Sequence, residues 1–108
     1  MPDAQKSRRA MLEEFLAANP ADAFARYGLA LECVNAGDNP AAESNFHQLA
    51  TAHPEYVPGY YHYGQLLLKL GRGADAQNIL RQGIAAAKKA GDAHALSELE
   101  AALEEASS

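Results

Sequence analysis

Residues recur through this chain at a fixed step of 34: Pro20 returns as Pro54, Gly37 as Gly71 and Ala42 as Ala76. The apolar positions keep the same step, with Leu12, Phe46 and Leu80 on one ladder and Leu16, Ala50 and Ile84 on another. A period of that length marks a supersecondary unit that cannot bury its apolar face alone and stacks on copies of itself. A second group returns at 36 instead, Phe24, Tyr27, Gly28 and Leu31 answering to Tyr60, Tyr63, Gly64 and Leu67. Two extra residues are therefore expected between Leu31 and Gly37, as a longer last helical turn or a wider loop around Val34 to Ala36.

The repeating unit reads as helical. Apolar residues fall at three- and four-residue steps, as in Ala76, Ile79, Leu80, Gly83, Ile84 and Ala87. Asn19-Pro20, Gly37-Asp38-Asn39-Pro40, His53-Pro54, Gly71-Arg72-Gly73 and Gly91-Asp92 supply the residues that stop one helix and start the next. The spacing predicts six helices, over 4–18, 21–36, 40–52, 57–70, 73–89 and 92–106. Composition agrees: hydrophobic residues make up 48% of the chain but aromatics only 7%, the balance being largely alanine, the best helix former. A chain of 108 residues is expected to form one domain.

This pattern resembles the tetratricopeptide repeat, which carries an aromatic, Leu-Gly and Tyr on its first helix and Ala, Phe and Pro on its second. Residues 21–56 match it with Phe24, Tyr27-Gly28, Leu31, Ala42, Phe46 and Pro54; residues 57–90 match it with Tyr60, Tyr63-Gly64, Leu67, Ala76 and Leu80. Tyr stands for Leu before both glycines, and Lys88 replaces the second proline, so the fifth helix is expected to run on through Ala87-Lys88-Lys89-Ala90 to Gly91. Residues 1–20 read as a leading half repeat and 91–108 as a capping helix. Gly28 and Gly64 are expected where a neighbouring helix comes close, whereas Glu100 holds their slot in the last helix and implies a wet outer face. The resemblance implies an all-α, TPR-like α-solenoid of about six antiparallel helices: a half repeat, two full repeats and the cap.

Charge and composition exclude several functions. Nine Lys and Arg against 14 Asp and Glu give a formal charge of -5, the wrong balance for a phosphate backbone, so no nucleic acid is expected. No apolar run approaches the roughly 18 residues that span a bilayer, and Met1 to Ala10 lacks the apolar core of a secretion signal, which predicts a cytoplasmic protein without a membrane partner. Cys33, the single cysteine, rules out an internal disulfide; without a nearby histidine it reads as a small buried hydrophobe. His47, His53, His62 and His94 form no pair at helical spacing with a carboxylate. No nucleophile, base and orienting group assemble, so neither an enzyme nor a cofactor is expected.

The first helix of each pair carries a second stripe away from the core: Asp22, Ala25, Leu29 and Glu32 in one, Pro58, Tyr61, Gln65 and Leu68 in the other. The resemblance implies that this stripe lines a concave groove where a partner's peptide lies, giving Ala25, Leu29, Glu32, Tyr61, Gln65, Leu68 and Lys69 as the binding residues. Leu29, Tyr61 and Leu68 are apolar where a solvated stripe would be polar, and Tyr61 is a rigid amphipathic anchor. The Lys, Asn and Arg with which relatives of this kind grip a C-terminal carboxylate are absent, so an apolar or mixed peptide is expected. The competing class is a purely structural protein whose apolar ends and faces serve self-association; a separate reading is end-to-end contact between chains, the basic first helix (Lys6, Arg8, Arg9) meeting the acidic last one (Asp92, Glu98, Glu100, Glu104, Glu105). A monomer or weak dimer is the expected state.

Overall fold

The computed structural model describes residues 7–108, and Lys6 lies outside the described residues. Six helices occur among them: α1 (Arg8–Ala18), α2 (Ala23–Asn35), α3 (Asn39–Ala52), α4 (Val57–Lys69), α5 (Gly73–Ala90) and α6 (Ala93–Ala106). They gather into two compact units, the first ending at Ala52 and the second spanning His53–Ser108. Within the first, α1 packs on α2 and α2 on α3; within the second, α5 packs on both α4 and α6, and α4 touches α6.

Local chemistry sets the ends. Ser7, Asp22 and Asp92 cap α1, α2 and α6, their side chains accepting from the N–H groups of Ala10, Ala25 and Ala95. Asp38 does the same for α3, taking the Ala41 N–H at 3.3 Å. Gly91, at φ 70°, closes α5 directly after Ala90, so the helix does run through the lysines where a proline would have stopped it. Lys88 and Lys89 then sit in the last turn, favourable to the helix dipole.

The two units repeat at 34 throughout, and the expected two-residue insertion is absent. α2 and α4 each have 13 residues and start 34 apart, at Ala23 and Val57. The turns that follow superpose bond for bond: Gly37 (φ 75°) donates to the Val34 carbonyl and Asp38 to that of Cys33, as Gly71 (φ 77°) donates to Leu68 and Arg72 to Leu67. Even unlike side chains keep the step. The Arg26 guanidinium reaches the Pro20 carbonyl at 3.3 Å, and the Tyr60 hydroxyl donates to the Pro54 carbonyl at 2.7 Å. Phe24 therefore answers to Pro58, Tyr27 to Tyr61 and Leu31 to Gln65, not to Tyr60, Tyr63 and Leu67.

Burial follows this register. In the first unit Leu16, Ala25, Leu29, Ala30 and Cys33 close on Ala42, Phe46 and Leu49; in the second Val57, Tyr60, Tyr63, Leu66 and Leu67 close on Ala76, Leu80, Ala87 and Leu99. Leu29-Ala30 thus holds the place of Tyr63-Gly64, with the small Ala30 fully buried. Gly28 is not at a close approach: a Cβ there would meet Leu12 at an ordinary 3.6 Å. At Gly64 it would lie 2.5 Å from Leu80 Cδ2, and at Gly83, which sequence spacing placed only on the apolar ladder, 2.5 Å from Tyr60 Cβ.

Glu100 is exposed on α6 while Leu99 beside it is buried. Glu100→Leu is expected to leave the thermal midpoint within the small range of surface exchanges, about 0.5 kcal/mol either way, as differential scanning fluorimetry can verify.

An ion pair ties the start of α1 to the turn before α3. Arg9 Nη2 donates to Asp38 Oδ2 at 2.9 Å and Nε reaches Glu13 at 3.3 Å. The Arg9 hydrogen bond, helped by the Ala41 N–H, holds the Asp38 carboxyl below the ordinary carboxylate range. A carboxylate with a depressed folded pKa stabilises above its unfolded pKa, about 3.9, and that contribution vanishes as pH falls through the folded value. The gap in melting temperature between wild type and Asp38→Asn is therefore expected to be full at neutral pH and to narrow as the buffer is taken below about pH 4. A gap that widened on acidification would contradict the pairing.

Candidate functional site

The face of α2 opposite its core carries Phe24, Tyr27, Leu31 and Val34, at steps of three, four and three. Phe24 is 72% exposed, the most open large hydrophobe of the described residues, and the other three are half-buried. No charge interrupts them. On α4 the same register gives Pro58, Tyr61, Gln65 and Leu68, with Lys69 beside them; Tyr61, Gln65 and Leu68 are half-buried and Pro58 and Lys69 exposed. The Tyr61 ring stands edge-on to His62, centroids 5.4 Å apart.

Of the seven residues expected to bind, four therefore lie on the outward stripe of α4: Tyr61, Gln65, Leu68 and Lys69. The three from α2 do not share the matching position. Ala25 and Leu29 are 6% and 5% exposed and belong to the core of the first unit. Glu32 turns toward α1, its carboxylate 3.1 Å from Arg8 Nε. The 36-residue register displaced them because Phe24, Tyr27-Gly28 and Leu31 imitate a core pattern while facing outward. Applying the 34-residue step to Tyr61, Gln65 and Leu68 would have found Tyr27, Leu31 and Val34 directly.

Cys33 is fully buried, and desolvation pushes its thiol up despite the positive field of Arg9, the wrong direction for a nucleophile. Burial pushes the His62 imidazole down, against the opposing pull of Glu98 on α6. Among the described residues no three His, Cys, Asp or Glu side chains gather in a metal-binding group. No helix of the described residues is long and apolar enough to cross a membrane.

The second unit also holds an open cleft of about 630 Å³ between Pro54, Glu55 and Tyr60 on one side and Gln82, Ala86 and Lys89 of α5 on the other. Sequence spacing shows Gln82, Ala86 and Lys89 on one helical face, but only the fold brings Pro54 and Glu55 to it.

Known proteins resemble this arrangement. The tetratricopeptide repeat profile matches residues 34–103. A tetratricopeptide repeat domain protein from Salinibacter ruber, solved by NMR, is 39% identical over 81% of this chain and 88% of its own, with a TM-score of 0.77. A crystal structure of a Salinibacter ruber tetratricopeptide repeat domain protein gives 38% identity, 80% and 96% coverage and a TM-score of 0.76. A Bordetella parapertussis protein shares the fold, with a TM-score of 0.80 at 23% identity over 95% of this chain and 90% of its own. No curated protein matches the chain.

Proposed function

We propose that this chain, which belongs to the tetratricopeptide repeat family, is a non-catalytic module that binds a peptide segment of another protein, with the outward stripe of α2 in the first unit and that of α4 in the second each offering a surface for it. The repeat is in general a protein-interaction fold, so binding as such follows from membership; the residues that carry it are our reading of the geometry. One observation supports that reading above the rest. Phe24 is 72% exposed at the head of an unbroken apolar stripe, on the face of α2 that the core does not use. That face lies apart from the residues of α2 that close the core of the first unit, Ala25, Leu29, Ala30 and Cys33. Aromatic anchors are what protein interfaces concentrate.

The stripe of α4 is built on the same register with more polar chemistry, since Gln65 stands where α2 has Leu31. A segment lying on it would bury Tyr61 and Leu68 and meet the Gln65 amide at the centre. The test compares affinity capture by wild type, Phe24→Ala, and the Tyr61→Ala, Leu68→Ala pair, with circular dichroism confirming that every bait is helical. Partners held by wild type and lost by the variants are expected. A folded variant set that retained every partner would remove both stripes from the account.

A further inference from the structure

The second unit adds a chemical preference to this reading, and the inference rests on the α4 stripe being a binding surface. We propose that the outward face of α4 takes a basic, amphipathic segment of a partner protein. Its apolar side would rest on Tyr61 and Leu68, and its lysines or arginines would face the carboxylates of α6.

Helix α6 packs against α4 and contains Glu98, Glu100, Glu104 and Glu105 but no Lys or Arg. Its buried line is Leu99, Ala102 and Ala106, with the half-buried Ala95 one turn before them. One residue back from each of these lie His94, Glu98, Ala101 and Glu105, the stripe adjacent to the buried one. α6 packs against α4, and the Glu98 carboxylate opposes the effect of burial on the His62 imidazole, so Glu98 stands near the edge of α4 where His62 and Tyr61 stand ring to ring. Glu98 also has His94 Nε2 at 3.6 Å.

Glu98, with Glu105 two helical turns further along the same face of α6, thus gives α4 an acidic border, while α4 itself contributes the single cation Lys69. An acidic peptide would meet repulsion along the whole of that border. A purely apolar one would leave the border unused. A segment with lysine or arginine on one side of an apolar stripe satisfies both.

Two synthetic amphipathic peptides with the same leucine frame, one bearing lysines at its polar positions and the other glutamates, provide the probe. Binding is measured by fluorescence anisotropy at low and moderate salt on the full chain, with circular dichroism as the folding control. The lysine peptide is expected to bind more tightly than the glutamate peptide by on the order of tenfold or more, and to weaken as salt rises. Tyr61→Ala and the Glu98→Gln, Glu105→Gln pair should each weaken it. The charge-matched Glu55→Gln, Glu100→Gln pair, which lies off the stripe, should not.

Equal binding of both peptides, still lost in Tyr61→Ala, would overturn the basic preference and leave the stripe standing. Equal weakening by the two glutamine pairs would overturn it as well, reducing the effect to net charge. Binding of neither peptide, or binding indifferent to Tyr61→Ala, would overturn the α4 stripe itself.

Discussion

Gly83→Ala is expected to lower the melting temperature and Gly28→Ala to raise it, although both add one methyl group to a helix interior. On backbone grounds alone each exchange stabilises, because alanine is about 0.8–1.0 kcal/mol better than glycine in a helix. Space decides the sign. At Gly28 the new Cβ meets only Leu12 Cδ1 and Cδ2, at 3.6 and 3.7 Å, which is ordinary contact. At Gly83 it falls 2.5 Å from Tyr60 Cβ and 3.0 Å from Leu99 Cδ2.

A Cβ cannot swing away as a side-chain tip can, so relief at Gly83 requires α4 and α5 to separate. Tyr60 is itself held by its hydroxyl bond to the Pro54 carbonyl at 2.7 Å. Overpacking of this kind costs about 1–3 kcal/mol, enough to outweigh the helix gain. Each kcal/mol moves the midpoint of a domain this small by about 4–8 °C. Gly64→Ala should fall between the two, since its clash is with the branched end of Leu80, which is fully buried but can rotate. Thermal melts of the three alanine variants settle the order; a Gly83→Ala variant as stable as wild type would show that α4 and α5 do not approach as described.

The second large effect separates two leucines of one helix. Leu29 is 5% exposed inside the first unit and Leu31 is half-buried on the outward stripe. Leu29→Ala should cost about 2–5 kcal/mol, the range for a core leucine that leaves a cavity, and should be visible as a lower urea midpoint. Leu31→Ala should cost under about 1 kcal/mol, with its effect on partner recovery rather than on folding. The 36-residue register predicts the reverse: Leu31 as core, Leu29 as contact. Equilibrium unfolding of the two variants side by side therefore decides the register.

Much of the fold could be read from the sequence because helix punctuation is local. Gly37, Gly71 and Gly91 take the positive φ that few other residues adopt, and each ends a helix within a residue or two of the place that spacing predicts. Asp22, Asp38 and Asp92 cap the helices that follow. What could not be read was the facing of α2. Its outward side carries Phe24, Tyr27 and Leu31, while its core side has one large apolar residue, Leu29, among small or polar-looking ones, Ala25, Arg26, Ala30 and Cys33. Periodicity identifies two stripes but not which is buried, and the more hydrophobic one was the wrong choice. Arg26 shows why: a long cation in the slot of Tyr60 conceals a core-edge position, yet it reaches Asn45 Oδ1 at 3.1 Å and the Pro20 carbonyl much as Tyr60 reaches Pro54.

The same reversal bears on the proposed binding surface. A stripe apolar enough to pass for a core, yet outside it, with Phe24 72% exposed and Tyr27, Leu31 and Val34 half-buried, is what our proposal for α2 rests on. In α4 the core face is already rich in Tyr60, Tyr63, Leu66 and Leu67, so spacing alone sets the half-buried Tyr61, Gln65 and Leu68 apart from it.

The most direct test of the central claim, that the outward stripes carry binding, is to map amide shifts of the labelled chain by NMR as a segment of a captured partner is titrated in. Perturbations are predicted on an outward stripe, at Phe24, Tyr27, Leu31 and Val34 of α2 or at Tyr61, Gln65 and Leu68 of α4. Shifts confined to the cleft of Pro54, Glu55, Gln82, Ala86 and Lys89, with both stripes silent, would contradict it.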